Sequence, residues 1–427
     1  MLYFHRGAED EEFRPNDLRD ALFSALSQLG NRQNVLVIPP DITRSSSQAG
    51  ILTRYVLDYY GDRLKAILPA TGTHTPMSEG EIENMFGPIP RGLFHTHDFR
   101  KGAVTLGEVP ADVVRAVSEN VVDYPVPIQV DRLIAEGGHD LILSIGQVVP
   151  HEVIGMSNYN KNLFVGTGGK ESIDRTHFLS AAYGMERIMG RADNPVRKVL
   201  NYGSDHFGRH LPVVYVHTVV ERNAQGKIIV RGLYIGDDND CFLEAADLAL
   251  KVNVTFLDQP LRKVVVYLEP QEFKSTWLGN KSIYRMRMAI DDGGELIVLA
   301  PGVEKFGEDK SIDQLIRRYG YIGARKVLDL VHDHADLQGS LSSAAHLIHG
   351  SSEGRFSVTY CPGKLSQKEI ESVNFRYADL GSMLRRYDPE KLVDGFNTLE
   401  NGEEIFFSSQ PALGLWAFRE RFATVPA

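Results

Sequence analysis

Asn34-Val35-Leu36-Val37-Ile38-Pro39-Pro40-Asp41-Ile42-Thr43-Arg44 is the stretch from which the fold class is read. Its apolar run does not alternate, as in a strand covered on both faces, and two prolines end it before a polar loop. Lys65-Ala66-Ile67-Leu68-Pro69 repeats the pattern and leads into Ala70-Thr71-Gly72-Thr73-His74. Asp140-Leu141-Ile142-Leu143-Ser144-Ile145-Gly146 repeats it again, just before His151. Ser78-Glu79-Gly80-Glu81 has the spacing of a capping box and predicts a helix through Phe86. Strand, loop and helix in repetition imply a parallel sheet with right-handed crossovers. Asp41, Arg44, His74 and His151 then lie just past the carboxyl ends of strands, where open α/β sheets bind ligands.

A second series begins after Leu257-Asp258-Gln259-Pro260, with Lys263–Leu268 and Glu295–Ala300 as strands. Between them a helix is expected from about Lys281 to Ile290, closed by Asp292-Gly293-Gly294 as a turn. Amphipathic helices are expected over Asp309–Tyr319 and Gly323–His332. The expected architecture is therefore two α/β lobes with parallel or mixed sheets. Residues 1–258 form an N-terminal catalytic and cofactor-binding domain, and residues 259–427 a C-terminal domain closing an interdomain cleft that holds the active site.

Composition excludes several classes. With 43% hydrophobic and 24% charged residues, and no apolar run of about 18 residues, a membrane-spanning helix is not expected. The start, Met1 to Gly7, lacks the basic and apolar segments of a secretory signal, so a cytoplasmic protein is expected. Two cysteines, Cys241 and Cys361, make neither a disulfide framework nor a thiolate cage. A formal charge of −10 opposes binding to phosphate backbones, so nucleic acid is not an expected partner.

One short segment holds a reactive set, His151, Lys161 and His177, together with Gly166-Thr167-Gly168-Gly169-Lys170. Taken singly, each has a bland reading: a histidine after a strand caps a loop, and a lysine in a polar loop is solvated. Gly168 and Gly169 fit either a backbone nest for a phosphate or a simple turn. His95, His97-Asp98, His206, His210, His346 and His349 have spacings compatible with metal but no convincing partner set, and packing or surface roles are expected for them.

In register, these pieces resemble the lactate racemase family. Asp-x-Thr-Arg (Asp41, Thr43, Arg44), Ala-Thr-Gly-x-His ending at His74, and His151-x9-Lys161-x15-His177 carry the resemblance, which spans most of the chain. In the second lobe Lys281 falls where the family has a site lysine.

The resemblance implies a nickel-pincer nucleotide tethered covalently through Lys161, with nickel completed by His177. The cofactor would itself supply sulfur donors, so the scarcity of cysteine is no objection. It implies a 2-hydroxy acid as partner, racemised or epimerised at C2 by reversible hydride transfer through a 2-keto acid. His74 and His151 would be opposed acid/bases, suited to proton transfer near neutrality. Arg44 would grip the carboxylate, Lys281 the substrate or a cofactor phosphate, and Trp277 would shape the pocket. Asp41, Thr43, Gly168 and Gly169 would serve the cofactor or neighbouring side chains, Asp41 not as a proton carrier. Cofactor-maturation enzymes are implied partners. Trp277-Leu278 stands where lactate-specific members have tyrosine and glutamine, and Gly339-Ser340-Leu341-Ser342 where their second-lobe tryptophan is expected. A substrate larger than lactate follows: a dicarboxylate, an aryl hydroxy acid or a sugar acid. Two other readings stay open, a nickel-cofactor carrier without turnover, and a conventional metal-dependent lyase or hydrolase using His74, His151 and His177. Oligomeric state has no signature in the sequence.

Overall fold

The computed structural model describes residues 1–223, 227–411 and 414–424. Contacts divide the chain into two units, Met1–Leu179 with Ile188–Asn253, and Ser180–Arg187 with Val254–Ala427.

The first unit is built on a six-stranded mixed sheet in the order Leu2–Gly7, Ile228–Gly236, Val213–Arg222, Leu141–Gln147, Val35–Ile38, Leu64–Ile67. The last four of these run parallel, and the first two join antiparallel. Val35–Ile38 and Leu141–Gln147 are buried at every position, which is why their sequences are apolar without alternation. Leu22, Leu26, Leu52, Val56 and Phe86 pack against this sheet. The helix expected after Ser78 spans Glu79–Phe86, and both halves of the capping box form: Ser78 N–H donates to Glu81 Oε2 at 2.8 Å and Glu81 N–H to Ser78 Oγ at 3.4 Å. Pro40 and Ala70 bridge in parallel beyond the strands, so the loops bearing Asp41 and His74 leave the sheet side by side.

The second unit carries its own six-stranded sheet in the order Arg376–Tyr377, Ser357–Pro362, Ile290–Ala300, Leu261–Tyr267, Glu404–Ser408, Gly395–Thr398. All neighbours are parallel except the final hairpin pair. The helices Lys310–Tyr319 and Ala324–Asp333 lie where periodicity puts them, the first capped by Asp309, whose carboxylate accepts Ile312 N–H at 2.9 Å.

One expectation fails here. The helix from Lys281 stops at Met286, and Asp292-Gly293-Gly294 lies inside the strand Ile290–Ala300 instead of closing a helix. Pairing shifts register beside it, between Leu261 and Lys263, and Gly293 has φ +82°. Paired glycines mark a strand irregularity as readily as a turn, and only the partner strand distinguishes them. Both units are α/β. Among the described residues no helix is long and apolar enough to cross a membrane.

Candidate active site

Asp41 ties the two upstream motifs together. It caps the short 3-10 turn Ile42–Ser47: one carboxylate oxygen accepts Thr43 N–H at 3.1 Å and Thr43 Oγ–H at 2.5 Å, while the other accepts His74 Nδ1–H at 2.7 Å. Burial alone would raise its pKa. The bonds from His74 and Thr43 outweigh that and hold the carboxyl below the usual range, so Asp41 is an anion. With Nδ1 committed to Asp41, neutral His74 carries its lone pair on Nε2, and the ring is 57% exposed.

His151 is wired the other way. It sits on the small hairpin Pro150–His151/Gly155–Met156, and its Nδ1 accepts Val153 N–H at 3.1 Å. A neutral ring so bonded has its proton on Nε2. Glu152 Oε2 lies 3.9 Å from the same Nδ1.

Lys161 precedes a π-helical turn, Asn162–Gly166, in which Thr167 N–H reaches back to Asn162 O at 3.0 Å. Its amine has no hydrogen-bond or ion-pair partner among the described residues. Burial foremost, then the Arg44 charge, brings its pKa down to about 8 against the opposing fields of Asp41 and Glu152. His177 lies on the helix Lys170–Tyr183 and donates Nδ1–H to Ile173 O at 2.7 Å, leaving Nε2 as its available ligand atom. Burial lowers its pKa and Lys161 acts on it in the same sense, so the ring is neutral, as a metal ligand must be. Asp41, Arg44, Glu152, Lys161 and His177 thus form one electrostatic neighbourhood in the first unit.

The glycine segment joins these parts. Gly72 N–H donates to Gly166 O at 2.8 Å, linking the His74 turn to the residues after Lys161. Gly168 O accepts His97 Nε2–H at 3.0 Å. A Cβ on Gly168 would lie 2.0 Å from Phe164 O, and one on Gly169 2.3 Å from Gln129 Oε1. Neither glycine has a positive φ; close packing against backbone requires Gly168, whereas at Gly169 the contact is the end of a flexible side chain.

In the second unit, Trp277 stacks on His346 with ring centroids 4.3 Å apart, and Lys281 opens the helix Lys281–Met286. His346 is itself held between Tyr284 Oη and Tyr321 Oη, each at 2.9 Å, as a packing residue. His97 is also structural: its ring is buried and its Nδ1 meets not Asp98 but Asp131, at 2.7 Å. His206 is exposed and stacks on Tyr202. Among the described residues no three His, Cys, Asp or Glu side chains gather to hold a metal ion, so His74, His151 and His177 do not form a three-ligand set. The sequence reading missed Glu152, legible as the neighbour of His151, and Arg197, which has no local signal.

The architecture and this Lys–His constellation define a class. The family model for the lactate racemase N-terminal domain matches residues 21–187, which contain Asp41, His74, His151, Lys161 and His177. The fold is similar to that of a Thermotoga maritima protein solved as a structural-genomics target, with TM-score 0.80 and 25% identity over 97% of this chain and 100% of that one. It is also similar to the lactate racemase apoprotein from Thermoanaerobacterium thermosaccharolyticum, with TM-score 0.67 and 17% identity over 95% and 89%. No curated protein matches. Residues 21–187 thus match the lactate racemase N-terminal domain, and the whole chain shares the fold of the lactate racemase apoprotein.

Proposed function

We propose that the protein is a racemase or C2-epimerase of a 2-hydroxy acid, and that it works with a nickel-pincer nucleotide. The residues fit that group: Lys161 offers a partnerless amine to tether it, and His177 offers Nε2 to its nickel. When bound, the cofactor supplies the acceptor for the C2 hydrogen. Arg44 pairs with the substrate carboxylate through its planar fork. His74 takes the hydroxyl proton at Nε2, and Asp41 stabilises the imidazolium that results. His151 presents Nε2–H to the C2 oxygen. To serve as base for the opposite enantiomer it must move its proton to Nδ1, where Glu152 replaces the Val153 amide as partner.

The observation that carries this reading is the opposite wiring of the two rings, His74 bonded through Nδ1 to a carboxylate with Nε2 open to accept a proton, and His151 accepting at Nδ1 with Nε2–H presented as a hydrogen-bond donor. A cofactor carrier has no need of that pair. The lyase or hydrolase reading lacks its three-histidine site. Trp277 and Leu278 support a substrate larger than lactate. The test is C2 hydrogen exchange and stereoinversion across aliphatic, aryl, dicarboxylic and sugar 2-hydroxy acids, using protein co-produced with the cofactor-maturation enzymes. Inversion of any member supports the proposal. Lys161-linked cofactor with no inversion across the panel would favour the carrier.

Asp41→Asn is expected to lower kcat/KM by about 10²-fold, the range lost with general acid–base catalysis. The amide cannot hold the His74 proton as an anion does. For a racemase both directions must fall equally, because the equilibrium constant between enantiomers is unity. Steady-state rates from each enantiomer check this, and an unchanged kcat/KM would remove Asp41 from the proton path.

A further inference from the structure

Arg197 is wholly buried and pairs with no carboxylate among the described residues, an arrangement that leaves a cation desolvated unless other groups replace its hydration. Its replacement hydration comes from one segment. Nη2 donates to Met156 O at 2.7 Å, Nη1 to Asn160 Oδ1 at 2.5 Å, and both reach Asn158 O at 3.4 Å. The guanidinium lies 4.2 Å from the Phe242 ring centroid and 5.7 Å from that of Tyr159.

That segment is the approach to Lys161, and it is strained. Asn158 and Tyr159 are consecutive non-glycine residues in the left-handed region, at φ 65° and 57°. Such a conformation persists only where the surroundings fix it, and strain of this kind gathers at functional positions. Asn160, whose side chain accepts from Arg197, is anchored in turn: its Nδ2 donates to Asn201 Oδ1 at 2.8 Å and Ser204 Oγ at 3.1 Å. Asn158 Nδ2 bonds His217 Nδ1 at 3.0 Å, tying the strained turn to a central strand. A planar fork with several fixed donors can grip three successive acceptors of a turn, and a lysine ammonium cannot reproduce that geometry.

We infer that Arg197 is the positioning residue of Lys161: its guanidinium holds the left-handed Asn158–Tyr159 turn that aims the amine. Its importance for turnover rests on the proposed role of Lys161, but the clamp itself is tested without cofactor. Arg197→Lys keeps the charge and loses the fork. The readout is acetylation of each lysine by an uncharged N-hydroxysuccinimide ester at pH 10, followed by peptide mass spectrometry. At that pH the amine of Lys161 is neutral and the rate reports access and geometry. Lys161 is expected to label at least tenfold faster in the variant, with the other lysines unchanged. Labelling of Lys161 at the wild-type rate would overturn the inference, as would an equal acceleration of every lysine, which would mean general loosening. Should the variant not fold, hydrogen exchange on the wild-type protein decides: amides of residues 158–162 are expected to be protected like those of Val213–Arg222, and loop-like exchange refutes the clamp. Intact mass of wild-type protein made with the maturation enzymes reports the Lys161 adduct separately, so the cofactor reading and the clamp can fail independently.

Discussion

Lys161→Ala, made alongside the cofactor-maturation enzymes, is expected to fold normally and to show no covalent adduct by intact mass and no stereoinversion. The loss should be complete, because alanine offers no amine for the tether. Stability should change by less than about 1 kcal/mol, since the amine is partly buried and gives up no bond on removal. The wild-type amine should also be unusually reactive at ordinary pH. With its pKa down to about 8, roughly a quarter is neutral at about pH 7.5, against about one part in a thousand for an unperturbed lysine. The sign follows from desolvation: burial disfavours the charged form, so the neutral nucleophile accumulates as pH rises toward and past about 8. Acetylation of Lys161 measured against pH should therefore level off about two units before that of exposed lysines. A midpoint shared with the surface lysines would show that the surroundings do not perturb the amine, and an adduct persisting in Lys161→Ala would move the tether elsewhere.

Gly168→Ala should be strongly damaging to the first unit's site. The new methyl would meet the Phe164 carbonyl oxygen at 2.0 Å and its carbon at 2.5 Å, both backbone atoms of the π-helical turn. Neither can swing aside as a side-chain end would. Overpacking of this kind costs about 3 kcal/mol or rearranges the backbone. Rearrangement would also disturb Gly168 O, which His97 holds, and so the spacing between Lys161 and His177. A urea-unfolding midpoint lowered in proportion is expected, with Lys161 adduct formation reduced beyond what stability explains. A midpoint within error of wild type would mean that this loop repacks freely.

Much of the site was legible in sequence because its residues sit where local signals end. Asp41, His74 and His151 follow short apolar runs, and the prolines and glycines after those runs announce the loops. Ser78 and Glu81 gave the helix boundary because a capping box is entirely local. The strands Leu2–Gly7 and Ile228–Gly236 were not read, since Leu2 pairs with Gly236 across most of the first unit's length and such a partnership leaves no neighbouring pattern. Gly293-Gly294 misled for the same reason: a glycine pair announces an unusual backbone without saying whether a strand lies beside it. The His97–Asp131 contact replaced the adjacent Asp98 that sequence offers first. Arg197 was invisible because a buried arginine without an acid partner looks, in sequence, like any surface arginine.

The eight residues Ser180–Arg187 cluster with the second unit although the chain on both sides of them clusters with the first. Glu186 is bonded to Arg287 at 3.1 Å and to Arg355 at 2.7 Å, both in the second unit. The polypeptide therefore has no single point at which it can be cut into two self-sufficient halves. A fragment ending near residue 253 would keep this stretch without its arginines, and the complementary fragment would carry two arginines stripped of their glutamate. During synthesis, the ribosome delivers the Glu186 segment well before Arg287 and Arg355 exist, so that part of the chain has to wait for its partners. Interleaving of this kind ties the two units together as an inheritance: shuffling one without the other breaks both.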